Sequence, residues 1–521
     1  MTFKKMAIKF SLLIATLGCM QLNALHAPVA EAFTTDNVNH ILTVSPTGDY
    51  NQDARNALAQ LASRSDTNVK WILKFNPGKY YLSLPLYTVG LKNVQIVSDP
   101  AAPAMLIKGP KFNPSYEYLF YARMGQGILL QGFEFYGTTT FQNGPTPVWP
   151  DQGVYFGSCR NVIVNNNKFF NFGDAALRIT TSEADPVTGV DSINSTVTNN
   201  YFNNIYQVTT TSNDKIHGGS RSYIMEKNTF VNLRGSVKFA TRTPGASDIH
   251  ILNNVINGGD HFGLEVNNYS NMEIRGNNFE NIKGEAINIY TAGDKGTLSK
   301  GFQWCDNFTL VSNVIKSSGR AIRVCPSPFF DGTTVTPHQL TIANNTINTI
   351  SEPNREVAAI EIINGKVDGL KITGNQMFNI ASKKYIHIAP GSTLVTQASN
   401  KADGSLLNND ASNLTVNDTK PPIAPTNLGG KYEGNLTVML NWTDNAPDES
   451  AEEVWASLDG KKYNFIAKLS PQSTKFKHIL KRLPPTASLY YAVKAVNKNG
   501  ASPLSPACKV AFPSSNVASS M

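Results

Sequence analysis

Val162-Ile163-Val164-Asn165-Asn166-Asn167-Lys168-Phe169 sets a short apolar strand, an Asn, one open position and a Phe in a row, and the chain repeats that phrase eight times between residues 161 and 388. The anchors are Asn167-Lys168-Phe169, Asn200-Tyr201-Phe202, Asn228-Thr229-Phe230, Asn254-Val255-Ile256, Asn277-Asn278-Phe279, Asn313-Val314-Ile315, Asn345-Thr346-Ile347 and Asn375-Gln376-Met377. Their spacings are 33, 28, 26, 23, 36, 32 and 30 residues. A unit of that size cannot bury its own apolar face, so the units stack and share one core. Period-two strands broken by Asn and Gly, without helical periodicity, make each unit one coil of a right-handed parallel β-helix in an all-β chain. The Asn residues read as structural: Asn tolerates the left-handed backbone region at turns, and its amide can bond to the coils on either side.

The chain has 521 residues, enough for two or more domains, and its 41% apolar content is ordinary for a soluble globular protein. Lys4, Lys5 and Lys9 precede an apolar run from Phe10 to Met20, with small residues at Ala24, Ala30 and Ala32. That reads as a signal peptide over residues 1–32, too short to stay in a bilayer as a span. Gly18-Cys19 offers a lipoprotein alternative, but Thr16 and Leu17 fit its pattern poorly. The expected location is secreted or periplasmic. Removing the leader takes three Lys and one Glu, which lowers the net charge from +8 to +6. A basic secreted protein favours polyanionic partners, and plain solubility explains the same charge. An acidic polysaccharide is the expected partner of a monomer, with no nucleic acid and no integral membrane span. Four cysteines remain, Cys159, Cys305, Cys325 and Cys508, and they permit three full pairings. Cys305 and Cys325 flank one coil where two long loops join it, and an oxidising compartment allows a bond between them.

Residues 33–70 form an N-terminal cap region with a helix-compatible stretch at 51–64, needed because an uncovered coil exposes core and strand edges. The β-helix takes residues 71–409, its regular array running to about Ala389. A polar linker with Pro421 and Pro422 occupies 410–423, and residues 514–521 are a tail. Residues 424–513 read as seven short strands with turn signals, a β-sandwich pattern. Within them Leu440-Asn441-Trp442, Leu483-Pro484-Pro485, Tyr490-Tyr491-Ala492-Val493-Lys494-Ala495-Val496-Asn497 and Asn499-Gly500-Ala501-Ser502-Pro503 closely resemble a fibronectin type III domain. The resemblance implies an accessory spacer whose aromatic residues fill a core.

Sites are therefore sought on the helix. After each Asn step comes a second strand with alternating apolar residues: Leu177/Ile179, Val237/Phe239, Leu264/Val266, Ile287/Ile289, Ile322/Val324, Ile360/Ile362 and Ile386/Ile388. Period two sends these pairs inward and sends Arg178, Lys238, Glu265, Asn288, Arg323, Glu361 and His387 outward, with Thr209 or Thr210 filling the missing coil. At about 4.8 Å per coil this is a charged ladder matched to an extended sugar polymer. A solvated face explains the ladder equally well. The long excursions, residues 181–192, 211–221, 241–248, 291–306 and 326–338, all leave the end of this same strand and so build the walls of a cleft.

Thr211-Ser212-Asn213-Asp214-Lys215, Arg221-Ser222-Tyr223, Lys227-Asn228-Thr229-Phe230 and Gly235-Ser236-Val237-Lys238-Phe239 resemble the chondroitinase B and alginate lyase family of pectate lyase-like β-helices. The resemblance covers about two coils. It implies β-elimination with Lys215 and Arg242 as catalysts and Arg221 beside them. Lys215 matches the family Lys after a one-residue shift; the Arg position falls on Ala240, two residues before Arg242. Eliminating a uronate needs a neutralised C6 carboxylate, a base for the C5 proton and an acid for the departing oxygen. A desolvated Lys and an Arg suit these tasks. Members of the family often bind Ca²⁺ through Glu-x-Glu, but Tyr206-Gln207-Val208-Thr209 supplies no carboxylate, so no metal or other cofactor is expected. Arg242-Thr243-Pro244 also resembles part of a pectate lyase step, with Ser247 where its second Arg should be.

Two further readings stand beside elimination. Glycoside hydrolysis needs two carboxyls about 5 to 9.5 Å apart, and Asp174, Asp260, Glu265 and Glu285 occupy equivalent or neighbouring parts of successive coils. Asp260-His261 is a possible proton-transfer pair. The third reading is a carbohydrate-binding or adhesive surface protein without catalysis. Arg178, Arg221, Lys238, Glu265, Asn288, Trp304 and Arg323 are the expected substrate contacts, and Trp304 and Phe329-Phe330 either stack on sugars or pin their loops.

Overall fold

The computed structural model describes residues 33–46, 52–141, 146–149, 151–180, 192–212, 220–241, 247–291, 306–326, 336–350, 358–389, 391–407, 422, 424–445, 451–470, 473–480, 483–484, 488–497 and 500–512. The chain divides into two compact units, Met1–His261 and Phe262–Met521.

The first unit opens with an antiparallel strand pair, Phe33–Asp36 and Ile41–Val44. Helix Gln52–Ser63 follows and buries Ala54, Ala57, Leu58 and Leu61. A full coil then has three strands, as in Arg160–Asn165, Lys168–Phe170 and Ala175–Thr180. First strands pair in parallel from Trp71–Phe75 through Lys92–Ser98, Gln126–Gln131, Arg160–Asn165, Ile193–Thr198 and Arg221–Glu226 to Ser247–Leu252. In two later coils the second and third strands run together as Tyr201–Ser212 and Thr229–Thr241.

Two columns of identical residues hold these coils in register. Inside, Phe135, Phe169, Phe202 and Phe230 stack with centroids 4.9, 4.7 and 4.7 Å apart. All four are fully buried, each burial stabilising by about 1.5–3 kcal/mol. At the corner, Asn167 N–H donates to Asn200 Oδ1 (2.9 Å), Asn200 N–H to Asn228 Oδ1 (3.0 Å) and Asn228 N–H to Asn254 Oδ1 (2.9 Å). Each of the first three Asn side chains also donates through Nδ2 to the Oδ1 of the next. The left-handed backbone falls one residue earlier, at Asn166, Asn199, Lys227 and Asn253.

The second unit repeats the pattern. First strands Ser270–Arg275, Phe308–Val311, Leu340–Ala343, Asp368–Thr373 and Thr393–Ala398 pair in parallel. Its Asn ladder runs from Asn277 through Asn313, Asn345 and Asn375 to Asn400. Asn400 is a rung beyond the expected end near Ala389, missed because Ala402 stands where the phrase has Phe, Ile or Met.

Toward the C-terminus two antiparallel sheets share one core. Thr426–Gly434, Thr437–Thr443 and Lys475–Ile479 form one; Asn464–Leu469, Ala451–Ser457, Ser488–Asn497, Gly500–Ala501 and Cys508–Ala511 form the other. The core holds Val438, Leu440, Trp442, Val454, Tyr491, Val493 and Val510. Not every aromatic residue fills it: Phe465 is 51% exposed and packs edge-on against Trp455.

Candidate functional site

The outward column exists in register in both units. In the first, Tyr87 pairs with Tyr121, Tyr121 with Tyr155, Tyr155 with Arg178, Arg178 with Thr209, and Thr209 with Lys238. Thr209, not Thr210, therefore fills the open position. The inward partners Leu177, Ile179, Val237 and Phe239 are buried, as period two requires.

Around Arg178 lies a group of polar side chains that are largely shielded from water. Arg178 Nη2 is 3.4 Å from Asp174 Oδ2, and Gln207 Nε2 donates to Asp174 Oδ1 at 2.6 Å. Gln152 Nε2 donates to Glu117 Oε2 at 2.8 Å. Burial raises the pKa of Asp174, against the lowering effects of Arg178, the Gln207 hydrogen bond and Lys238. Burial also raises Glu117; Arg178 and Lys108 lower it, while the Asp174 charge raises it further. Two carboxyls thus sense one another beside one guanidinium, each held toward its protonated form. Carboxyls shifted in this way beside one guanidinium are candidates for acid-base chemistry. The buried Arg178 Nε and Thr209 Oγ1 have no partner among the described residues.

A second polar group belongs to the second unit, where Glu265, Asn288, Arg323, Glu361 and His387 follow one another in register. Tyr290 Oη donates to Glu265 Oε1 at 2.6 Å. Glu285 Oε1 is 3.3 Å from Arg320 Nη1 and 2.7 Å from Arg323 Nη1, so this carboxylate anchors two cations. Burial raises Glu361, opposed by a backbone bond from Ala358 and by Arg320 and Arg323. Burial, then Lys384, lowers His387.

The remaining expected residues scatter. Asp260 Oδ2 is held by Arg234 Nη1 at 2.6 Å. Arg221 opens the strand Arg221–Glu226, in register with Ile193 and Ser247 on the other sheet. Lys215, Arg242, Trp304, Phe329 and Phe330 lie outside the described residues, as does Cys305, on which the pairing with Cys325 rests. The buried Cys325 sulfur accepts from Asn364 Nδ2 at 3.3 Å. Cys159 and Cys508 are free, and burial pushes the Cys159 thiol up to about 12, which makes it unreactive.

Glu117 and the tyrosine file escaped the reading of the sequence. The tyrosines left a signal, because residues 87, 121 and 155 are spaced by 34 and 34. Glu117 left none, being an isolated acid before a coil without the Asn phrase.

Residues 149–302 match the family described as right handed beta helix region. Similar solved structures include a Fn3-like protein from Clostridium thermocellum, 26% identical over 18% of this chain and 96% of that one, with a TM-score of 0.16. Titin domains A168-A170 are 18% identical over 17% of this chain and 31% of theirs, with a TM-score of 0.15. Geobacillus virus E2 ORF18 is 11% identical over 85% of this chain and 80% of that one, with a TM-score of 0.34. No curated protein sequence matches. No helix among the described residues is long and apolar enough to cross a membrane. Parallel strand columns, Asn ladders and the matched region together make the fold a right-handed parallel β-helix, followed in sequence by antiparallel β-sheets.

Proposed function

We propose that this chain is an extracytoplasmic protein that binds a uronate-containing polysaccharide along the outward column and cleaves it by β-elimination. The observation that carries the reading is the direct pairing of Ser212 with Thr241 at the ends of two neighbouring strands that also bear Thr209 and Lys238. Segments leaving those two ends start one coil apart, about 4.8 Å. Lys215 follows Ser212 by three residues and Arg242 follows Thr241 by one. In the proposed reaction the Lys215 amine removes the C5 proton, the C5–H electrons form the C4=C5 bond, and the C4–O bond breaks. The departing C4 oxygen takes a proton from water, and Arg242 neutralises the C6 carboxylate so that the C5 proton becomes acidic enough to remove. The C-terminal sheets are read as a fibronectin type III spacer, and the Cys305–Cys325 bond as a brace on the coil between them.

A second reading has a specific observation behind it. Asp174, 3.4 Å from Arg178, and Glu117, which senses both the Arg178 and the Asp174 charge, are both raised by burial and are the pair of carboxyls that a hydrolase reading would use. Incubating the purified chain with alginate, pectate, chondroitin, hyaluronan and heparan-like polymers separates the two. New ultraviolet absorbance from a C4=C5 bond marks elimination. New reducing ends without it mark hydrolysis, and retention on a polymer without either product marks a binding protein.

A further inference from the structure

The tyrosines of the outward column take no part in the chemistry above. Their rings form a file that ends on Arg178. Tyr121 and Tyr155 stack at 4.4 Å with planes 4° apart, and Tyr87 and Tyr121 at 5.6 Å and 17°. Tyr118 braces the file, 5.5 Å from Tyr121 and 4.9 Å from Tyr155. Tyr87, Tyr121 and Tyr155 lie on the face away from the coil interior: the neighbours that alternate with them, Phe120 and Ala122, then Val154 and Phe156, point inward and are buried. Exposure instead grades along the file, from 49% at Tyr87 to 8% at Tyr155. Gly157 makes room for the arrangement, since a Cβ there would lie 2.5 Å from the Tyr155 ring.

Rings stacked face to face cover one another's faces. What they offer outward is the edge and hydroxyl of Tyr87, which is 49% exposed, and the partly covered edge of Tyr121, whose hydroxyl also shares a hydrogen bond with Tyr155 beneath it; the strands repeat at about 4.8 Å. A phenol donates one hydrogen bond and accepts others, which suits the hydroxyl and carboxylate oxygens of an acidic sugar. Burial raises the Tyr121 and Tyr118 phenols, so both keep their protons at neutral pH.

We infer that Tyr87 and Tyr121, backed by the buried Tyr155, form a binding track for the acidic polysaccharide on the N-terminal side of Arg178. From Tyr87 to Tyr155 the track spans two coil steps, about 10 Å, and takes about two sugar units. It rests on the proposed function for the identity of the polymer, and it adds a direction: the chain lies along the coil axis toward the N-terminal coils.

The test compares kcat/KM on long and short oligosaccharides of the polymer that is cleaved, for the full chain and for Tyr87→Ala and Tyr121→Phe. Tyr87 is half exposed, so its loss leaves the coils intact, and Tyr121→Phe removes a single oxygen. The long-to-short ratio should fall about fivefold to tenfold in each variant, the loss of one such hydrogen bond. Phe170→Leu, from the Tyr136–Phe170 stack at 4.9 Å on a column without Arg178, controls for loss of a surface ring. An unchanged ratio in Tyr87→Ala and Tyr121→Phe overturns the track even if cleavage stands. Should no polymer be cleaved, the cleavage reading fails, and the track is judged by retardation in native gels containing polymer. Retardation weakened by Tyr87→Ala keeps it, and equal or absent retardation removes it.

Discussion

Asp174 is a carboxylic acid in surroundings that disfavour its charge. It is almost wholly buried, and burial outweighs Arg178 and the Gln207 hydrogen bond in setting its pKa above the ordinary 3.8. The native state therefore holds this proton more tightly than the unfolded chain does. The stability it contributes is complete below pH 3.8 and is lost as pH rises through the higher native value. Asp174→Asn removes that dependence. Denaturant unfolding between pH 3.5 and 7 should show wild type losing stability relative to the variant as pH rises. A gap that widens in favour of wild type would mean that the Arg178 ion pair outweighs desolvation. Legibility at this scale follows periodicity. Arg178, Lys238, Glu265, Asn288 and Arg323 were readable because period two fixes which residues face outward. Glu117 was not, because its proximity to Asp174 comes from the stacking of separate coils, which a single isolated acid does not announce.

The Asn phrase set the coil and part of its detail. Asn was expected both to take the left-handed backbone and to bond between coils. The protein assigns these tasks to adjacent residues, with Ser312, Asn344 and Gly374 taking the turn and Asn313, Asn345 and Asn375 the ladder. The reason is geometric, since the ladder residue must aim its amide along the axis while the residue before it turns the chain. Asn228 shows what a rung contributes. Its Oδ1 accepts from Asn200 N and Nδ2, and its Nδ2 donates to Val197 O and Asn254 Oδ1. Asn228→Ala leaves the buried Asn200 N–H without its acceptor and takes a donor from Asn254 Oδ1 and from Val197 O, while Asn200 Nδ2 keeps Val164 O and Thr198 O, so chemical denaturation should show a loss of about 2–4 kcal/mol. An exposed Asn with ordinary helical backbone, such as Asn56, whose side chain accepts from Gln52 Nε2, should cost about 0.5 kcal/mol or less on the same substitution. Equal costs at the two positions would contradict the ladder account.

At the scale of the whole molecule, the composition change after residue 409 and the antiparallel sheets beyond Thr426 argue that the coils fold without the C-terminal segment. A chain ending at Pro421 should unfold in one cooperative transition and keep its action on polymer; aggregation or a broad transition would contradict this division. Stacked repeats and sheet type were legible because each rests on a local pattern repeated many times. The chemistry was less so, since the sequence around Lys215 and Arg242 carries no periodicity that fixes position. The most direct test of the central claim is therefore turnover of Lys215→Ala beside Asp174→Asn on the polymer that wild type cleaves, followed by absorbance of the C4=C5 bond. Elimination on this face predicts a loss on the order of a hundredfold or more for Lys215→Ala, with polymer binding largely kept. Full activity in Lys215→Ala together with its loss in Asp174→Asn, and products without the double bond, would contradict elimination and assign the cleavage to the paired acids.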